Sequence, residues 1–346
     1  MKRILLTSIA AIAAATFVVS ASTAQAQDKK VTIKLSYWVP PSHFLTPGYK
    51  EWAASVEKAS GGTIKTTLFP SSQLGSGFDH YDMVKRGVAD MGLINPGYTA
   101  GRFPIIAASD LPFMNSNSLG GAKAITKFYQ KYAAKEMSDV KTCHAYTHDI
   151  ATVHSVKKEI KVPADIKGMN IRSANETIAK YVTAMGGNPV NVPIAEAKDT
   201  LMKGITDGIF VTFGGVQGTF KFGDVTKYTL DSPLYVSTFT HNINKQFYDG
   251  LSAGQRKVID DHCTPEWAAK TYRYWYEDDQ KQDKEARVNF KNHVWTKIGP
   301  AEIALWRKAA EPVLADWKEN VKKAGYDPEV VLKEFKDALK AENALF

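Results

Sequence analysis

Between Val140 and Val156 the chain reads VKTCHAYTHDIATVHSV, seventeen residues with neither glycine nor proline. An average strand holds about five or six residues, so one strand of a compact sheet does not use up such an extended run. It is therefore read as the passage by which the chain leaves one folded unit and enters another.

The residues before it alternate between two periods. Val31 to Trp38 (VTIKLSYW) alternates like a strand; after VPPSHF, a helix starting at Thr46 and Pro47 places Trp52, Val56 and Ala59 on one face and stops at Gly61 and Gly62. Thr63 to Phe69 reads as a second strand, a helix through Tyr81, Met83 and Val84 ends at Gly87, and Ala89 to Ile94 reads as a third strand. This is the βαβ pattern of a parallel sheet covered by helices, whose ligands sit beyond the carboxyl ends of the strands. Trp38, Asn95 and Tyr98 fall at or just past two such ends and are candidates for a pocket wall. Ile105 to Leu111 is expected to add a strand, and Leu119 to Ala134 a helix. Tyr146, His148 and Thr152, in the middle of the long run, are candidates for a pocket floor on the hinge side.

The second unit begins with GMNIRSANE, Gly168 to Glu176. A short strand, Met169 to Ile171, delivers Arg172 to a helix start for which Ser173 and Asn175 are capable caps. A guanidinium fixed beside the free N–H groups of a helix forms an anion receptor whose fork matches a carboxylate, so Arg172 is read as the group that binds a small carboxylate. Asn188 to Val192, a helix from Ala195 to Lys203, and Ile209 to Phe213 repeat the βαβ logic, and Ser237 to Asn244 returns to the first unit. A long helix is expected from Ala253 to about Asn289, with Trp267, Tyr272 and Trp275 as core bracing, then a strand from His293 to Ile298 and two closing helices.

The N-terminus carries Lys2 and Arg3, an apolar stretch from Ile4 to Val19, and the small-residue box Ala24-Gln25-Ala26, which together read as a secretory signal cleaved near Ala26. Net charge is +8, and +6 once Lys2 and Arg3 are removed; acids are interleaved with the lysines, and no basic face with stacking aromatics points to nucleic acid. Cys143 and Cys263 are the two cysteines; in an oxidising compartment they are either a disulfide or two buried thiols, and their spacing is not that of a metal site. No cofactor and no metal is expected. An exported hydrolase would need a nucleophile with its base or a zinc motif; neither GxSxG nor HExxH is present, and the chain is read as a non-enzyme.

FPSSQLG, GVADMGLI, DLPFM, DIKGMNIRSANE and GGNPVNVPIAEAKDTLMKGITDGI follow one another in an order and spacing that resemble the extracytoplasmic solute-binding proteins of tripartite ATP-independent periplasmic (TRAP) transporters. The resemblance covers nearly the whole mature chain. It implies an α/β chain with the two-lobed periplasmic binding protein fold, a ligand cleft between lobes, two chain crossings and a long bracing helix. Lobe I would take residues 27–150 and 237–285, and lobe II residues 151–236 and 286–346, after a signal peptide of residues 1–26. It implies a monomeric periplasmic protein that grips an organic acid through Arg172, with an amide at Asn175 nearby, and delivers it to integral membrane permease subunits. A ligand sensor of the same fold serving a membrane receptor is the rival reading.

Three departures from the family pattern bear on the ligand. Thr152 stands where many members place a second arginine, Val211 where such members have an asparagine, with Phe213 two residues on, and Thr212 and Gly214 offer no acid to hold a metal ion. One strong anion receptor then faces a wall of Trp38, Tyr98, Val211 and Phe213. A second buried carboxylate without a partner would cost several kcal/mol, so a monocarboxylate with an apolar or aromatic body is expected, with His148, Tyr146 or Thr152 reading a hydroxyl or keto group.

Overall fold

A computed structural model describes residues 28–346. The secretory segment read from residues 1–27 lies outside the described residues. Eleven strands follow in chain order: β1 (Val31–Ser36), β2 (Ile64–Phe69), β3 (Met91–Ile94), β4 (Val140–Thr147), β5 (Ala151–Ser155), β6 (Asn170–Arg172), β7 (Asn188–Val190), β8 (Gly208–Thr212), β9 (Tyr228–Leu230), β10 (Thr238–Asn244) and β11 (Val294–Thr296). They form a five-stranded sheet in the order β2-β1-β3-β10-β4 and a six-stranded sheet in the order β11-β9-β5-β8-β6-β7. In the first, β1, β2 and β3 are parallel, and β10 enters antiparallel to both β3 and β4. In the second, β6 lies parallel to β7 and β8 while β5 is antiparallel to β8 and β9.

The long extended run thus resolves into two strands of different sheets, β4 and β5, separated by His148, Asp149 and Ile150. The chain returns between β9 and β10, which makes the second crossing. Eleven helices cover the sheets: α1 (Leu45–Ala59), α2 (His80–Lys85), α3 (Ser118–Tyr129), α4 (Ala133–Glu136), α5 (Glu176–Ala184), α6 (Ile194–Met202), α7 (Lys245–Asp249), α8 (Ala253–Asp261), α9 (Pro265–Asn289), α10 (Pro300–Lys323) and α11 (Pro328–Ala341). No helix among the described residues is long and apolar enough to cross a membrane.

Two expected elements differ. Ile105 to Leu111 is not a strand: residues 106–110 form a buried 3-10 turn, because β3 already has β1 and β10 on its two edges. Asp110 and Ser109 instead clamp β10, Asp110 Oδ1 accepting from the Thr238 backbone N–H at 2.7 Å. The helix expected from Ala253 to Asn289 is broken at His262–Thr264. Pro265 cannot continue a helix and disfavours helical geometry in the residue before it, whereas it suits a first turn. Thr264 therefore caps α9, its side chain accepting from Trp267 N at 3.2 Å. The break also brings Cys263 to β4, where it is disulfide-bonded to Cys143.

The 25 residues of α9 span about 37 Å. This helix packs on α1 and α3 beside the first sheet and on the turn Phe213–Val216 that follows β8 in the second. Its approach to α1 depends on Gly48, where a Cβ would fall onto the Thr271 carbonyl oxygen. Both sides of that contact are helix backbone, so Gly48→Ala is expected to destabilise the protein by about 2–3 kcal/mol, read as a lowered thermal midpoint; an unchanged midpoint would mean that the two helices part without cost.

Candidate ligand-binding site

A cavity lies between the two sheets. The first sheet and its loops contribute Trp38, Asn95, Tyr98 and Phe239; the second contributes Arg172, Ala174, Phe210 and Val211; His148 and Tyr235 come from the two crossings. Most of its wall is aromatic or aliphatic, with a few polar groups among it, as in sites that take small organic ligands.

Arg172 ends β6 and is only 2 % exposed. Its Nε donates to the Val192 carbonyl at 3.2 Å and its Nη1 to the Phe210 carbonyl at 3.4 Å. Those bonds fix the plane of the fork. No Asp or Glu among the described residues lies within ion-pair distance of it, although twenty-two ion pairs form elsewhere, all of them at least partly exposed. A buried cation without a counter-ion is costly, so the cavity is built to receive an anion. Beside it, burial raises the Tyr98 hydroxyl above the ordinary tyrosine pKa while the Arg172 charge opposes that shift. The Tyr235 hydroxyl, also in the wall, is buried without a hydrogen-bond partner among the described residues.

The remaining sequence candidates divide. Trp38 lines the cavity and packs edge-on against His80, with ring centroids 5.2 Å apart. Asn95 lines it too, accepting from Gly97 N at 3.0 Å and donating to the Ala174 carbonyl at 3.4 Å. His148 and Val211 are in the wall. His148 Nδ1 lies 2.6 Å from the Asp149 carbonyl oxygen, and burial, followed by the Arg172 charge, lowers its pKa to about 4 against that hydrogen bond.

Four candidates lie away from the cavity wall. Thr152 spends its hydroxyl on the Leu230 carbonyl at 2.8 Å, inside the second sheet. Asn175 caps α5, its Oδ1 accepting from Ile178 N, while its Nδ2 donates to Ser237 Oγ at 2.9 Å; it joins the two halves instead of facing the cavity. Phe213 is buried in the turn that follows β8, which ends at Thr212, and is not part of the cavity wall. Tyr146 stacks on Tyr272 within the core.

Helix α9, expected to be bracing alone, supplies two wall residues, Trp275 and Asp279, one helical turn apart. Asp279 Oδ1 accepts from the Thr212 hydroxyl at 2.5 Å, and a Cβ at Gly214 would come within 2.7 Å of the same oxygen. Burial, then the Asp149 charge, pushes its pKa well above the carboxylate range, which favours the neutral carboxyl. His43, Phe44 and Phe220 complete this end around Trp275, with His43 and Trp275 edge to face at 5.3 Å. The signal for Asp279 was its register: it occupies the same stripe as Ala268, Tyr272 and Trp275, where a solvated acid does not belong.

Bonds that join the halves around the cavity include Gly101 N donating to Glu176 Oε2 at 2.6 Å, Asn175 to Ser237, and Asn95 to Ala174. The described conformation is therefore a closed one.

The fold is shared with known proteins. A TRAP solute-binding protein from Rhodoferax ferrireducens T118, solved in complex with copurified benzoate, is 29% identical, with a TM-score of 0.84 over 91% of this chain and 99% of that one. A marine-metagenome TRAP solute-binding protein specific for aromatic acid ligands, solved with 3-hydroxybenzoate, is 28% identical, with a TM-score of 0.83 over 91% of this chain and 99% of that one. The 2,3-diketo-L-gulonate-binding periplasmic protein YiaO of Escherichia coli (strain K12) is 27% identical over 207 residues, 59% of this chain and 62% of that protein, so the match spans less than two thirds of that relative's length. The profile of the bacterial extracellular solute-binding proteins, family 7, matches residues 35–320. With most of its length matched and the two-sheet architecture in place, the chain belongs to family 7 of the bacterial extracellular solute-binding proteins, the TRAP solute-binding family.

Proposed function

We propose that this protein captures an aromatic or otherwise apolar monocarboxylate in the periplasm and presents it to the membrane permease of a TRAP transporter. The observation that carries the proposal is the buried Arg172, with no Asp or Glu paired to it among the described residues, in the wall of a mostly apolar cavity. Its free edge would take both carboxylate oxygens, with the Tyr98 and Tyr235 hydroxyls within the same wall. The ligand body would lie toward Trp38, Phe239 and Trp275. Contacts to both halves exist only when the cleft is closed, so binding shifts the population toward the closed shape, which the permease would read. The relatives solved with benzoate and 3-hydroxybenzoate favour an aromatic body. Trp38, Asn95, Tyr98, His148 and Val211 are proposed as ligand contacts with Arg172; Asn175 is proposed to hold the closed cleft.

A thermal-shift series tests this. At about 100 times their dissociation constants, benzoate or phenylacetate should raise the midpoint by roughly 5 °C, and succinate, whose second carboxylate meets no cation, should leave it unmoved. A larger shift with succinate than with any aromatic acid would defeat the reading.

A further inference from the structure

His148 offers a ligand one kind of atom only. Its Nδ1 is 2.6 Å from a backbone carbonyl oxygen, which can only accept, so Nδ1 carries a proton. The Ser237 N–H approaches the same nitrogen at 3.5 Å, too far to compete. Nothing holds the ring as a cation: it is 6 % exposed, and it shares the cavity wall with the Arg172 guanidinium. The neighbouring Asp149 carboxylate is spent elsewhere, Oδ1 on the Ser118 N–H and hydroxyl, Oδ2 on the Gln280 amide at 2.6 Å. The neutral ring keeps a lone pair on Nε2, and that atom has no hydrogen-bond partner among the described residues.

We propose that His148 determines specificity by requiring a hydroxyl donor on the ligand, so that the site selects hydroxy acids over the matching oxo and alkoxy acids. This rests on the monocarboxylate reading above. With the carboxylate on Arg172, a hydroxyl on the ligand body donates to Nε2. A keto, ether or second carboxylate oxygen in that place sets lone pair against lone pair. An unsubstituted acid leaves Nε2 desolvated and unpaired, a smaller cost. The neighbouring Tyr235 hydroxyl imposes no such choice, because it can rotate to donate or accept. The two crossings of the chain therefore place a fixed acceptor and an adaptable group side by side, 5.4 Å between ring centroids.

The test is calorimetric titration of the purified protein with two series: phenylacetate, mandelate and phenylglyoxylate; then benzoate, 3-hydroxybenzoate and 3-methoxybenzoate. In at least one series the hydroxy acid should bind about 10- to 100-fold more tightly than its oxo or methoxy counterpart. His148→Phe keeps a flat ring of similar size without the lone pair, and should bring that ratio to within about threefold. Equal binding across both series, or a preference that survives in His148→Phe, overturns the inference. The wild-type series decides the matter even if the variant fails to fold. If none of the six acids binds, the monocarboxylate reading falls as well; if benzoate and phenylacetate bind and a hydroxyl adds nothing, only the role of His148 is lost.

Discussion

Arg172→Ala should weaken capture of a monocarboxylate by roughly 100- to 1,000-fold, because a desolvated carboxylate that loses its buried partner forfeits several kcal/mol. The informative part is what happens without ligand. Arg172 is a buried charge with no acid beside it among the described residues, and its Nε and Nη1 donate to the Val192 and Phe210 carbonyls. Removing such a charge relieves a desolvation cost, so Arg172→Met, which keeps much of the volume, should melt at or above the wild-type temperature while losing the ligand-induced shift. A structural arginine would behave in the opposite way, with a lowered midpoint and ligand affinity largely retained. Arg172→Lys should fall between, since an ammonium lacks the bidentate fork. Titration calorimetry together with melting curves of the three variants separates the two roles, and normal affinity in Arg172→Ala would refute the assignment.

Loss of the Cys143–Cys263 disulfide should lower stability by about 3–5 kcal/mol and the melting midpoint by roughly 10 °C. The bond joins residues 120 apart in sequence, one in β4 and the other between α8 and α9. Everything from β5 through β10 lies in the loop it closes, including both crossings and Arg172. Cutting it therefore releases a large amount of chain entropy in the unfolded state. Neither Cys143 nor Cys263 is in the cavity wall, so affinity in the folded double alanine variant should stay within about twofold of wild type. Melting curves with and without reductant check the effect: wild type in reductant should match the variant, and a midpoint indifferent to both treatments would show that packing alone holds this junction.

Much of the architecture was legible because period and punctuation agree. The strand–helix alternation before Ile94, the extended run across His148, and the return at Ser237 all survive in the sheet order. The placement of Arg172 in the cavity wall was legible because it sits where a strand meets a helix cap. The misplacements have specific causes. Phe213 was named from its place two residues past Val211 in the family pattern, but the strand ends at Thr212 and a tight turn begins, so it is not in the cavity wall. Thr152 and Asn175 are near the site in sequence, yet each polar atom on them is committed to another bond. Trp275 and Asp279 were hidden for a different reason. A buried stripe on a helix shows which face turns inward, and does not show whether the inside at that point is packed protein or open space. Ile105 to Leu111 is a case where an apolar run fits a strand or a buried turn equally well until the neighbouring edges are known.

Helix α9 touches α1, α3, the turn after β8 and the cavity itself, through Trp275 and Asp279. A ligand in this cavity would thus touch the same rod that spans both halves of the molecule. A lineage could exchange those two side chains and change its diet without disturbing a single strand. The rod's far side, half-exposed over most of its length, is then a natural place to mount a fluorophore that reports occupancy from outside the cleft.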